Sequence, residues 1–222
     1  MTGAGTRVCC WGDPNLIYVD ETATGKNTGM SWVDAYTDLA DALDRARDSL
    51  CEGPFTIYVA EGTYDPNQTP DKTFVLPDGV SVYGGFQSGG CDFSQRNPKK
   101  YKTTLTGLID DDPFPDVDTV VTMGDNTLLD GFTVMYAGFS GSCIYGSGVD
   151  FTIENCIVTE SYDFGIFAEN GNVAVKRCTV NNNGRDGIRH QGEGYELTVD
   201  RSWVLRNGEY GLYCRKSTPN AK

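Results

Sequence analysis

Apolar residues recur along the second half of the chain with a long period and, inside each period, with a short one. Thr127–Gly146, Asp150–Ala168, Asn172–His190 and Glu196–Cys214 align at a step of 22 to 24 residues. Val134, Val158, Val180 and Val204 then share one column, and Ile144, Ile166, Ile188 and Leu212 a second. Leu129, Ile153, Val175 and Val199 make a third, and Phe132, Cys156, Cys178 and Ser202 a fourth. Within a unit the apolar positions alternate, as at Val173 and Val175 or Leu197 and Val199, which is strand spacing. Turns with recurring glycines close the units, as in Asn183-Gly184-Arg185-Asp186-Gly187. At about 3.3 Å per residue, 22 residues supply three short strands and three turns, one lap of a coil. Stacked laps place like positions roughly 4.8 Å apart, so each column becomes an interior ladder. The pattern predicts an all-β, parallel β-helix, a repeat architecture in which laps stabilise one another.

Upstream the same strands return with loops between them. Leu16–Asp20 reads as a first strand, and Phe55–Ala60, Thr73–Leu76, Val80–Tyr83, Thr103–Leu108 and Thr119–Met123 as later ones. The loop Gln87–Lys100 breaks the period. Ser31 with Asp34 resembles a capping box, and Trp32, Ala35, Tyr36, Leu39, Leu43, Ala46 and Leu50 form a helical stripe. A lone amphipathic helix ahead of a stack predicts an N-terminal cap over 31–50. The organisation expected is an extension over 1–15 and a single β-helix domain over 16–222. That domain comprises the cap helix, loop-decorated coils over 55–126 and regular coils over 127–215, about six to seven laps in all.

Composition adds limits. The 27 glycines suit a fold with many tight turns, and the net charge of −13, with pI near 4.4, argues against a nucleic-acid partner. The same acidity also serves solubility alone. No stretch approaches 18 consecutive apolar residues, so no membrane span is expected, and Met1–Pro14 lacks a signal-peptide core. An exported protein would carry its signal outside this sequence. Of the eight cysteines, Cys156 and Cys178 occupy an interior column where thiols pack as small hydrophobes, although a bridge would also fit there. The even count leans toward disulfides, and any bridges are expected among Cys9, Cys10, Cys51 and Cys91.

Several N-terminal segments carry a resemblance. Ile17-Tyr18-Val19-Asp20, Gly29-Met30-Ser31-Trp32, Ala35-Tyr36-Thr37-Asp38-Leu39, Ile57-Tyr58-Val59-Ala60-Glu61-Gly62-Thr63-Tyr64 and Val82-Tyr83-Gly84-Gly85-Phe86 resemble the opening of bacterial right-handed parallel β-helix repeat proteins, secreted or surface-anchored. The units of Thr127–Arg215 are similar to the repeats of the pectate-lyase-like superfamily. The resemblance implies a right-handed coil and an extracellular or cell-surface location. It leaves function open among lyases, hydrolases, epimerases, adhesins and phage spikes.

Candidate chemistry lies on outward columns. Asp130, Glu154, Lys176 and Asp200 form one, and Asp163, Arg185 and Glu209 another, each placing a cation between acids, as ladder stability alone would select. Tyr145, Phe167, Arg189 and Tyr213 form a third, whose aromatic faces suit sugar rings but also suit cation–π packing across laps. Lyases of the resembling superfamily use calcium-binding acids with an arginine or lysine base. The nearest counterparts here are Arg189 and His190 with Arg185, Asp186 and Glu169. His190, the only histidine, is a candidate general base. The acidic loop with Asp110, Asp111, Asp112, Asp116 and Asp118 is the candidate Ca²⁺ site; a solvated loop is the alternative. Two functions stand: a non-catalytic adhesin-like or glycan-binding scaffold, or a lyase or hydrolase acting on acidic polysaccharide. Expected partners are a polysaccharide or cell-surface glycan, a longer parent chain, or further copies of this chain paired end to end.

Overall fold

The computed structural model describes residues 15–48, 54–67, 69, 71–110 and 113–221. The chain coils through about seven turns as a right-handed parallel β-helix. Three parallel sheets form its walls. The first has eight strands, in the order Leu16–Val19, Thr56–Ala60, Ser81–Phe86, Thr127–Asp130, Phe151–Glu154, Val173–Lys176, Glu196–Asp200 and Thr218–Ala221. The second runs from Gly62–Tyr64 through Thr103–Thr106, Phe132–Met135, Ile157–Thr159 and Thr179–Asn181 to Trp203–Leu205. The third runs from Phe74–Val75 through Val121–Thr122, Ser142–Ser147, Phe164–Glu169 and Ile188–Gln191 to Leu212–Arg215.

The registers reproduce the sequence columns. Val134, Val158, Val180 and Val204 are paired in the second sheet, and Ile144, Ile166, Ile188 and Leu212 in the third. These ladders are fully buried through most of the coil and only half-buried at Val204 and Leu212 in the last lap. Corners are made by single residues with left-handed backbone. Gly131, Asn155, Arg177 and Arg201 turn the chain from the first sheet to the second. Tyr136, Glu160, Asn182 and Arg206 lead out of the second. Asparagine tolerates this conformation better than most side chains; arginine and glutamate hold it because the ladders on either side fix it.

A polar ladder lies inside as well. Asn183 Oδ1 accepts from the Ser161 amide (3.1 Å), and Asn207 Oδ1 accepts from the Asn183 amide (3.1 Å) and side chain (3.0 Å). The glycines of the recurrent turn make room for it: a Cβ on Gly165 or Gly187 would lie 2.6 or 2.4 Å from the Asn183 or Asn207 amide nitrogen.

The helix is shorter than the sequence predicts, spanning Leu39–Asp48 rather than 31–50; Ser49 and Leu50 lie outside the described residues. Ser31 Oγ does accept from the Asp34 amide, but Tyr36 forms a parallel bridge with Val19, which requires extended backbone and delays the helix. Asp38 is its cap, accepting from Ala40 N at 2.8 Å. Leu39, Ala42, Leu43 and Ala46 are buried where the helix packs beside the first strands of the first and third sheets.

Cys156 and Cys178 are buried thiols whose Sγ atoms approach the carbonyls of Leu129 and Ile153, each at 3.6 Å. Burial pushes the Cys156 thiol well above its ordinary range and lifts Cys143 to about 12. Cys91 is also a free thiol, against the expected bridging; Cys9, Cys10 and Cys51 lie outside the described residues.

Candidate functional site

The outer face of the third sheet carries the predicted ligand column, with Asp163, Arg185, Asp186, Glu169 and Glu209 beside it. Tyr145, Phe167, Arg189 and Tyr213 stand side by side on consecutive laps. The Tyr145 and Phe167 rings lie 5.5 Å apart, and the Arg189 guanidinium sits 4.5 Å from the centroids of both Tyr213 and Phe164. Tyr210 extends the strip at 5.7 Å from Tyr213, and in the turn that leads into the third sheet two laps earlier Tyr162 packs on Phe139 at 4.2 Å. Phe139, Tyr162 and Tyr210 are exposed, while the four column residues are half-exposed.

The charged groups beside these rings, two guanidiniums and four carboxylates, are each held by a neighbouring side chain. Arg185 bridges Asp163 (3.3 Å) and Glu209 (3.1 Å), as the alternating column predicts. Burial raises the Asp163 carboxyl above its usual range, an effect that Arg185 opposes. Asp186 is fully buried, accepts from the Tyr210 amide at 3.1 Å, and lies 3.0 Å from Arg189 Nε in an ion pair whose N–H is not aligned for a hydrogen bond. Glu169 accepts from the Tyr145 hydroxyl (2.8 Å) and the Gln191 amide (2.9 Å). Burial, with that hydrogen bond second, raises the Tyr145 hydroxyl.

His190 is not on this face. It follows Arg189 on the same strand, so alternation turns it into the coil, where it is 0% exposed in the column of Ala168 and Cys214. Its Nε2 is 2.8 Å from the Gly171 carbonyl, and among the described residues its Nδ1 has no hydrogen-bond partner. A buried ring facing away from the wall cannot take a proton from a surface ligand, so the structure withdraws it as a general base.

The acidic loop is organised by its own backbone. Asp116 Oδ2 accepts from the amides of Ile109 (2.6 Å) and Asp110 (3.4 Å). Asp118 is exposed, and Asp111 and Asp112 lie outside the described residues. Among the described residues no three carboxylate, histidine or cysteine groups converge as metal ligands. Of the predicted charge column of the first sheet, Lys176 pairs with Glu154 at 3.1 Å, whereas Asp130 and Asp200 are paired from outside the column, by Arg96 at 2.8 Å and Arg201 at 3.0 Å.

Sequence reasoning missed a second aromatic cluster. Tyr18, Tyr58 and Tyr83 are the first-sheet continuation of the Asp130–Glu154 column, and Trp32 and Phe93 close over them from two loops. Asp20 ties those loops together, accepting from Thr22 and from the Gly89 amide at 2.9 and 2.7 Å. The signal available was tyrosine at Tyr18, Tyr58 and Tyr83, one per strand, hidden by irregular loop lengths.

Residues 117–222 match the family described as right handed beta helix region. The fold is similar to that of pectate lyase Pel9A, with TM-score 0.57 and 17% identity over 87% of this chain and 54% of that chain. It is also similar to the pectin methylesterase from Aspergillus niger in deglycosylated form, with TM-score 0.49 and 13% identity over 93% of this chain and 86% of that one. The chain thus spans about half the length of the lyase. Identities of this size carry the fold alone. No curated protein sequence matches the chain. Among the described residues no helix is long and apolar enough to cross a membrane.

Proposed function

We propose that this β-helix is a carbohydrate-binding module that holds a glycan on the outer face of its third sheet without cleaving it, outside the cell or at its surface. One observation supports this above others. Arg185, Arg189, Asp163, Asp186, Glu169 and Glu209 hold one another or neighbouring side chains, while the rings between them keep their faces half open. A lyase or hydrolase needs a group free to accept a proton and a carboxylate or metal to stabilise charge. Here Arg189 lies on the buried Asp186 carboxylate. What remains to meet a ligand is aromatic area and hydroxyls, on strands rigid enough to present them without ordering cost.

A glycan array followed by an absorbance assay for unsaturated uronate ends tests the reading. Expected is retention of at least one glycan with no unsaturated product. Release of such product, lost in Arg189→Ala, would establish the lyase and overturn the proposal.

A further inference from the structure

The second sheet carries a groove of about 660 Å³ on its outer face, where the segment 96–102 overhangs the strands. Among the described residues its lining includes four cations, Arg96, Lys99, Lys102 and Arg177, and no carboxylate. This is a reversal of the whole chain, in which 31 acidic residues outnumber 18 basic ones. Two of the cations are neutralised from the first-sheet side, Arg96 by Asp130 and Arg177 by Glu154. Lys99 and Lys102 are exposed, and among the described residues neither has an ion-pair partner. The floor is a register ladder of Thr133, Ile157 and Thr179, so a hydroxyl, an apolar side chain and a hydroxyl follow on consecutive laps.

We propose that this groove binds an acidic oligosaccharide, with its carboxylate or sulfate groups on Lys99 and Lys102, its hydroxyls on Thr133 and Thr179, and a ring face on Ile157. Three laps extend over roughly 10 Å at about 4.8 Å per step, room for more than one sugar unit and more than a lone anion needs. The overall negative charge does not forbid this: at physiological salt the screening length is about 8 Å, so the nearby lysines govern the field in the groove. Their ammonium groups are strongly hydrated point charges on flexible stems, which suits irregularly spaced acid groups. The inference is independent of the aromatic face, since it uses another sheet and other residues.

Isothermal titration at two salt concentrations provides the test. The probes are a galacturonic acid hexamer, its fully methyl-esterified form, a sulfated hexasaccharide and an oligothymidylate of similar length. The wild-type protein is expected to bind an acidic hexamer, with affinity falling as salt rises. The Lys99→Gln/Lys102→Gln double variant loses about tenfold, corresponding to about 1.4 kcal/mol. The ester is bound at least about tenfold more weakly than the acid, and Lys26→Gln, at an exposed lysine outside the groove lining, leaves the affinity unchanged. Lysine-dependent binding of the sulfated probe alone identifies sulfate as the acid group. Lysine-dependent uronate binding that survives Tyr213→Ala supports the groove whatever becomes of the aromatic face. Equal binding of acid and ester, full affinity in the double variant, an oligothymidylate bound as tightly as the sugars, or no binding of any acidic sugar overturns the proposal.

Discussion

Arg189 and His190 are adjacent in sequence and lie on opposite sides of the wall, one beneath the solvent and one inside the coil. The alternation that separates them was legible in the apolar columns but not at His190, because a histidine occupies a place held by Ala168 and Cys214 on neighbouring laps. A polar residue in an apolar column gives no warning from its own type. His190→Ala is therefore expected to destabilise the fold by about 1–3 kcal/mol, by leaving the Gly171 carbonyl unsatisfied, and to leave glycan binding unchanged. Urea denaturation alongside a binding titration separates the two effects. Asp163 supplies a pH-dependent case. Its folded-state carboxyl is raised above 3.8 by burial, so its stabilising contribution is present below that pH and lost as pH rises through the folded value. Asp163→Asn removes a buried charge and should raise the urea midpoint relative to wild type at pH 7, with the difference vanishing near pH 3.

Elements are set by their corners and caps. The helix stripe of Leu39, Leu43 and Ala46 was readable because it is amphipathic, but its start was not: the Tyr36 bridge to Val19 is a long-range pairing that local propensity does not contain. Asp38→Ala should cost about 1 kcal/mol through loss of the cap, measured by thermal unfolding, whereas Ser31→Ala should leave the helix intact. The recurring glycines were visible in the sequence as turns; their purpose, space for stacked asparagine amides, needs the third dimension. Removing Asn183 strips partners from the amide of Ser161 and the carbonyl of Val158. Asn183→Ala is expected to destabilise by about 2 kcal/mol or more, because buried groups are left unpaired inside a connected ladder.

At the scale of the molecule, repetition explains both what was legible and what was not. Interior columns announce themselves because every lap must fill the same place with the same kind of side chain, and the fold follows from them. Outward columns are free to vary, so ligand chemistry concentrates where the repeat is interrupted or where neighbouring laps happen to agree. The alignment of Tyr145, Phe167, Arg189 and Tyr213 across four laps was legible in the sequence; the Lys99–Lys102 groove depends on an irregular segment folding over the second sheet and was not. The central claim is that the third-sheet face holds a glycan without cutting it. A titration of the array-selected glycan into wild type and a Phe167→Ala/Tyr213→Ala variant, with chain length checked by chromatography after prolonged incubation, tests it most directly. The account predicts an unshortened glycan and an affinity lower by about tenfold or more in a variant that remains folded, as expected for two partly exposed aromatic anchors. A shortened glycan, or unchanged affinity in the folded variant, would contradict it.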